Sequence, residues 1–131
     1  MHAEILDWFA EYDARAARGD IAGLADLAVF PLNVVTDIPG GAAAARTWDR
    51  EEFIEVMTEV VGEGAELRST RTPHLLGDNL AVVFTDASVT VDGHDHQMRY
   101  ADILIRTTDG WAFQTMVQPG HGTGWEPARR G

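Results

Sequence analysis

The chain has no cysteine and no lysine. Without cysteine there is no disulfide, no thiolate nucleophile, no cysteine-ligated zinc and no iron–sulfur cluster. Without lysine there is no Schiff-base amine and no phosphate-loop lysine. All ten basic residues are arginine, set against 21 acidic residues, and the formal net charge is −11. Such a chain repels phosphates, so neither non-specific nucleic-acid binding nor docking on an anionic membrane is expected. No run of residues approaches the ~20 apolar positions of a membrane-spanning helix. The opening Met-His-Ala-Glu-Ile-Leu-Asp lacks the charged and apolar regions of a secretion signal, and the expected location is the cytoplasm.

What is present is the material of one small globular domain. A chain of 131 residues buries a core without staples. The expectation is a single domain over residues 1–118 followed by an irregular Gly- and Pro-rich tail over 119–131. Charge is uneven along it: residues 1–64 carry 13 acids and 4 arginines, residues 65–131 carry 8 acids and 6 arginines. The acidic half has helical periodicity. Ile5, Phe9, Tyr12 and Ala16, widened by Leu6 and Trp8, predict a helix over 3–18 that stops at Gly19. Asp20 is placed to cap a short helix over about 21–28, ended by Phe30-Pro31. Leu32 to Asp37 has a strand's composition and is broken by Pro39-Gly40-Gly41. Asp49 and Glu52 have capping-box spacing at the start of a third helix whose stripe is Phe53, Val56, Met57, Val60 and Val61, ended by Gly62 and Gly64.

From residue 65 the period changes to two. Strands are predicted over about 65–75, 79–91, 97–107 and 111–118, separated by Gly77-Asp78-Asn79, Asp92-Gly93 and Asp109-Gly110. Three helices followed by an antiparallel meander make an α+β arrangement. A curved sheet wrapped on helices forms a cone that can hold a ligand.

Three local patterns sharpen this. Tyr12 is followed seven residues later by Gly19-Asp20. Val34-Val35-Thr36-Asp37 leads into Ile38-Pro39-Gly40. Ala101-Asp102-Ile103-Leu104-Ile105-Arg106 is followed by a turn ending in Gly110 and a last strand. With the order of elements over residues 4–118, these resemble the nuclear-transport-factor-2-like superfamily, which includes the SnoaL-like cyclases and ketosteroid isomerase. The resemblance implies a cystatin-like cone with three N-terminal helices packed on a curved, mainly antiparallel sheet. In ketosteroid isomerase the corresponding places hold a tyrosine donor, an aspartate base and a protonated aspartate donor. By resemblance those roles pass to Tyr12, Asp37 and Asp102. The implied activity is isomerisation or cyclisation by proton abstraction next to a carbonyl, without cofactor or metal, on a small apolar or polycyclic ligand.

The residues themselves support part of this. Asp102 interrupts the apolar run Tyr100–Ile105, and a carboxyl buried there needs a proton or a partner, for which Arg68, Arg71, Arg99 and Arg106 are candidates. Tyr100 and Leu104 share its face by alternation. Asp86 interrupts Leu80–Val91; alternation groups it with Val82, Phe84 and Ser88, either in the cone or on a solvated surface. Phe84, Asp86, Tyr100, Leu104, Thr115 and Val117 are taken as substrate contacts, and Trp8 and Trp48 as core or pocket-wall aromatics. His94-Asp95-His96 is expected at a solvated hairpin tip. His121 sits in the tail, which could cover the mouth. A face carrying Val83, Ala87, Val89, Ile103 and Ile105 would suit a homodimer. The alternative to an enzyme is a non-catalytic binding or dimerisation module of the same fold.

Overall fold

The computed structural model describes residues 2–37, 41–61, 66–91 and 93–118. Three helices, α1 (His2–Ala17), α2 (Ile21–Ala25) and α3 (Arg50–Val61), pack on one six-stranded sheet. The strands are β1 (Ala28–Thr36), β2 (Ala44–Trp48), β3 (Glu66–Gly77), β4 (Leu80–Val91), β5 (His94–Thr107) and β6 (Gly110–Gln118). Their order is β2-β1-β6-β5-β4-β3, antiparallel except where β1 runs parallel to β6. Met1, the segment Gly62 to Ala65, residues Ile38-Pro39-Gly40, Asp92 and residues 119–131 with His121 lie outside the described residues.

The helix boundaries follow local chemistry. α1 buries Ile5 and Phe9, and a Glu11–Arg15 pair at 2.7 Å braces its outer side. It ends where Gly19 takes a φ of +70°, a conformation that costs glycine little. The Asp20 carboxylate accepts from the Gly23 N–H at 3.0 Å and caps α2. The capping box of α3 is complete: Asp49 N–H donates to Glu52 at 2.9 Å, and Glu52 N–H donates to Asp49 at 2.8 Å. Leu6 departs from expectation. It is 43% exposed and does not widen the apolar stripe.

Two strand boundaries also differ. α2 ends at Ala25, and β1 begins at Ala28 and runs through Pro31, whose peptide bond with Phe30 is cis. The ladder to β6 shifts register between Ala28 and Asn33, which is where a residue without an N–H can be accommodated. β2, an alanine-containing strand on the sheet edge, was not expected; it is held by antiparallel pairing of Ala44–Trp48 with β1.

Register decides which side of each strand is covered. Asp102 lies opposite Val83 on β4 and Met116 on β6, and Leu104 opposite Ala81 and Phe113. Those neighbours are buried in the core that also takes Phe9, Leu24, Phe53 and Met57 from the helices. The face of β4 carrying Val83 and Ala87 is therefore the covered one, and the dimer face expected from Val83 and Ala87 is corrected. Val82, Phe84, Asp86 and Ser88 occupy the open face with Ala101, Ile103 and Ile105. No described helix is long and apolar enough to cross a membrane.

Candidate active site

α1 turns Phe9 and Tyr12 toward the sheet. The Tyr12 ring packs edge-on to Phe113 at 5.2 Å and stacks with Trp8 at 6.4 Å. Across from it, the alternation of β5 brings Asp102 inward to 3% exposure among apolar neighbours. Burial raises its carboxyl to about 7 from the ordinary 3.8, because an ion there has lost its water; the positive charge of Arg71 opposes the rise. Near neutral pH the group therefore exchanges between acid and carboxylate. Burial also drives the Tyr12 hydroxyl well above its usual range, and the charge of Asp102 adds to the effect. Tyr100, two residues before Asp102, is raised by burial with Arg71 acting against it. Both phenols are thus held as neutral donors beside a carboxyl that can take either form.

Arg71 ties these groups together. Its side chain is 7% exposed, and Nη1 donates to Asp13 on α1 at 2.6 Å. Nε donates to the Thr85 hydroxyl at 3.4 Å, and the guanidinium lies 4.3 Å over the Phe9 ring. Its charge also acts on the Tyr100 hydroxyl and opposes the effect of burial there. Arg71 stands opposite Thr85, and Thr85 opposite Tyr100, so β3, β4 and β5 place the three polar side chains in one row on the covered face.

Of the residues to which the resemblance assigned roles, Tyr12 and Asp102 come together in this cluster. Asp37 is not among the groups acting on either. It follows β1, is exposed, and donates its N–H to the Gln118 carbonyl at 3.2 Å. It borders a groove of about 310 Å³ whose floor includes Val35, Phe84, Ala101 and Val117, with Arg99 at the rim. By register Val35, Val117, Ala101 and Phe84 lie on the open face of the sheet.

The expected substrate contacts divide the same way. Tyr100 belongs to the polar cluster. Trp8 packs against Phe113 at 4.7 Å, and its indole N–H is buried with no partner among the described residues. Leu104 is fully buried core, and Trp48, 4% exposed, packs 6.5 Å from Phe53. Phe84, Asp86, Thr115 and Val117 are on the open face. Phe84 is 40% exposed, Asp86 accepts from Arg99 at 2.7 Å, and Thr115 accepts from Asn33 at 3.5 Å. The register of β4, β5 and β6 puts all four on the side of the sheet away from Asp102, which decides between the two faces open to Asp86, and Thr115 is nonetheless buried there. His94 is exposed and begins β5, while Asp95 accepts from Thr90 at 2.6 Å.

In the sequence Arg71 is one of four candidate partners for Asp102, and nothing marks Asp13 or Thr85. A signal existed in β3: Arg71 alternates with Pro73 and Leu75, which turn inward. The partner Asp13 is 58 residues away and carries no local mark.

Solved structures share this architecture. A nuclear-transport-factor-2-like protein of unknown function from Shewanella oneidensis MR-1 superposes with a TM-score of 0.71 at 14% identity, covering 90% of this chain and 98% of that one. A domain of unknown function with a cystatin-like fold from Nostoc punctiforme reaches 0.70 at 14% identity, covering 98% and 80%. A protein from Novosphingobium aromaticivorans provisionally assigned as a scytalone dehydratase reaches 0.67 at 17% identity, covering 88% and 80%. No protein-family model matches the sequence, and no curated protein does. The chain has the nuclear-transport-factor-2-like fold, a cystatin-like α+β cone of three helices on a curved sheet.

Proposed function

We propose that this protein is a cofactor-independent enzyme that moves protons on a small, largely apolar carbonyl compound, as an isomerase or cyclase. The observation that carries the proposal is the Asp102 carboxyl, 3% exposed on the covered face with Tyr12 and Tyr100 near it, where burial raises it to about 7. Protonated Asp102 and Tyr12 would donate to the substrate oxygen as negative charge develops on it, where fixed donors in a dry site are most effective. Fold likeness to a protein provisionally assigned as a dehydratase agrees with chemistry of this class. Asp37, the base by resemblance, stands apart from the donors, so its role is the separable part of the proposal. The test is turnover of a β,γ-unsaturated ketone. Tyr12→Phe and Asp102→Ala should each lower the rate by about 10²-fold, the usual loss of one oxyanion donor. Unchanged rates in both would end the donor assignment, and an unchanged rate in Asp37→Asn would remove Asp37 as base.

The open sheet face favours a second role, self-association. Leu80 and Phe84 are 39% and 40% exposed, in line with Ala101, Ile103 and Ile105 across the ladder. An apolar sheet face bordered by the Arg99–Asp86 pair is a surface that a homodimer would cover. Light scattering should give a dimer mass for the wild type and a monomer mass for Ile103→Asp. If both run as monomers, no homodimer uses this face.

A further inference from the structure

The polar row on the covered face is tied to the surface through Arg71. Asp13, half-exposed on α1, holds Nη1 of Arg71 at 2.6 Å. The guanidinium it holds is itself almost fully buried, fixed from below by Thr85 and from the side by the Phe9 ring. Tyr100 follows Thr85 in the same row, and Asp102 is two residues further along β5 on the same covered face. An acid at the surface, an arginine inside it and a second acid deeper still are thus contributed by α1, β3 and β5. Arg71 is the cation that acts on Asp102, and Asp13 is its direct ion-pair partner. The charge available to the inner acid depends on how far the outer one claims it.

We propose that Arg71 is a positioning residue that couples the Asp13 carboxylate to Asp102, so that an ion pair at the surface of α1 governs whether the buried carboxyl keeps its proton. The inference rests on the assignment of Asp102 as the acid–base group. The groups facing Asp102 are few: Tyr12 from α1, Arg71 from β3 and Tyr100 from β5, while its neighbours on β4 and β6 are the uncharged Val83 and Met116. With Asp13 neutralised, the guanidinium is released to favour the Asp102 carboxylate, and the carboxyl should lose its proton more readily. With Arg71 made neutral, Asp102 should keep its proton to higher pH. Asp13 would then have little left to act through.

The experiment follows the Asp102 carboxyl carbon by ¹³C NMR across pH in the full-length protein labelled at aspartate, with Asp102→Asn identifying the resonance. Asp13→Asn should lower the titration midpoint by about one pH unit, the lower end of what one nearby charge achieves. Arg71→Met should raise it, and Arg71→Lys, which keeps the charge, should return it toward the wild-type value. In the Arg71→Met background, Asp13→Asn should shift the midpoint by less than half as much as it does alone. Equal shifts with and without Arg71 would overturn the coupling, as would a midpoint unmoved by Asp13→Asn. Should Arg71→Met fail to fold by circular dichroism, the exposed Asp13→Asn decides the matter when combined with Arg71→Lys. A wild-type Asp102 that does not titrate between pH 5 and 9 would overturn both the coupling and the proposed function. A titrating Asp102 with unmoved variants overturns the coupling alone.

Discussion

Asp102 and Asp86 lie on adjacent strands of one sheet, and each has an arginine nearby, but they face opposite ways. Asp86 is on the open side, paired with Arg99 at 2.7 Å, and both side chains are more than half exposed. Water already solvates such a pair, so the contact adds little to stability. Asp102 is on the covered side and has lost its water, and Arg71 offsets only part of that loss. The same residue type is thus half of a solvated salt bridge on one face and a desolvated carboxyl with a raised pKa on the other. Orientation in the sheet, more than residue identity or proximity to arginine, separates the two.

The comparison can be broken most directly by pH. Because the folded value of Asp102 lies above its ordinary one, the wild type is unpenalised below about pH 4 and loses stability as pH rises through about 7. Asp102→Asn should escape that loss, gaining on the order of 4 kcal/mol at most over the wild type at pH 8 and little at pH 4. Urea unfolding at the two pH values checks this, and parallel pH profiles would refute it. Next in size is a pair of neighbours on β5. Leu104→Ala should cost about 3 kcal/mol, since the fully buried side chain leaves a cavity, whereas the open-face Ile103→Ala should cost distinctly less in the monomer. Away from both faces, Asp49→Ala should cost about 1 kcal/mol by removing one arm of the α3 capping box. The smallest effect belongs to Asp86→Asn, expected within about 0.5 kcal/mol at pH 7. A loss there as large as that from Leu104→Ala would mean the open face is not the solvated surface described.

Much of the fold is written locally. Asp20, and Asp49 with Glu52, mark helix starts through side-chain bonds to nearby backbone groups, which are visible in a few residues of sequence. The hairpin turns and the period-two strands are similarly local. β2 was not legible because its alanines have weak strand preference; pairing with β1 makes it a strand. The orientation of β4 was not legible for a related reason. Alternation groups Phe84 with Asp86, but only the Val83–Asp102 pairing shows which group is covered. In the site, an aspartate in an apolar run was a visible anomaly at position 102. The arginine acting on it was visible only as one of several, because the chain is close to itself there in space and not in sequence.

Among the described residues, Asp13 to Arg71 and Glu4 to Arg106 clasp α1 to the sheet and join residues 58 and 102 positions apart. α1 precedes both partners in the chain, so its contacts with the sheet wait until β3 and β5 are present. Contacts this distant in sequence form slowly and carry the largest loop-closure cost. Tyr12 and Asp102 consequently belong to no fragment that ends before β5. The burial of Asp102 also needs Met116 of β6, so the environment that raises its carboxyl is completed only when the last strand has joined the sheet.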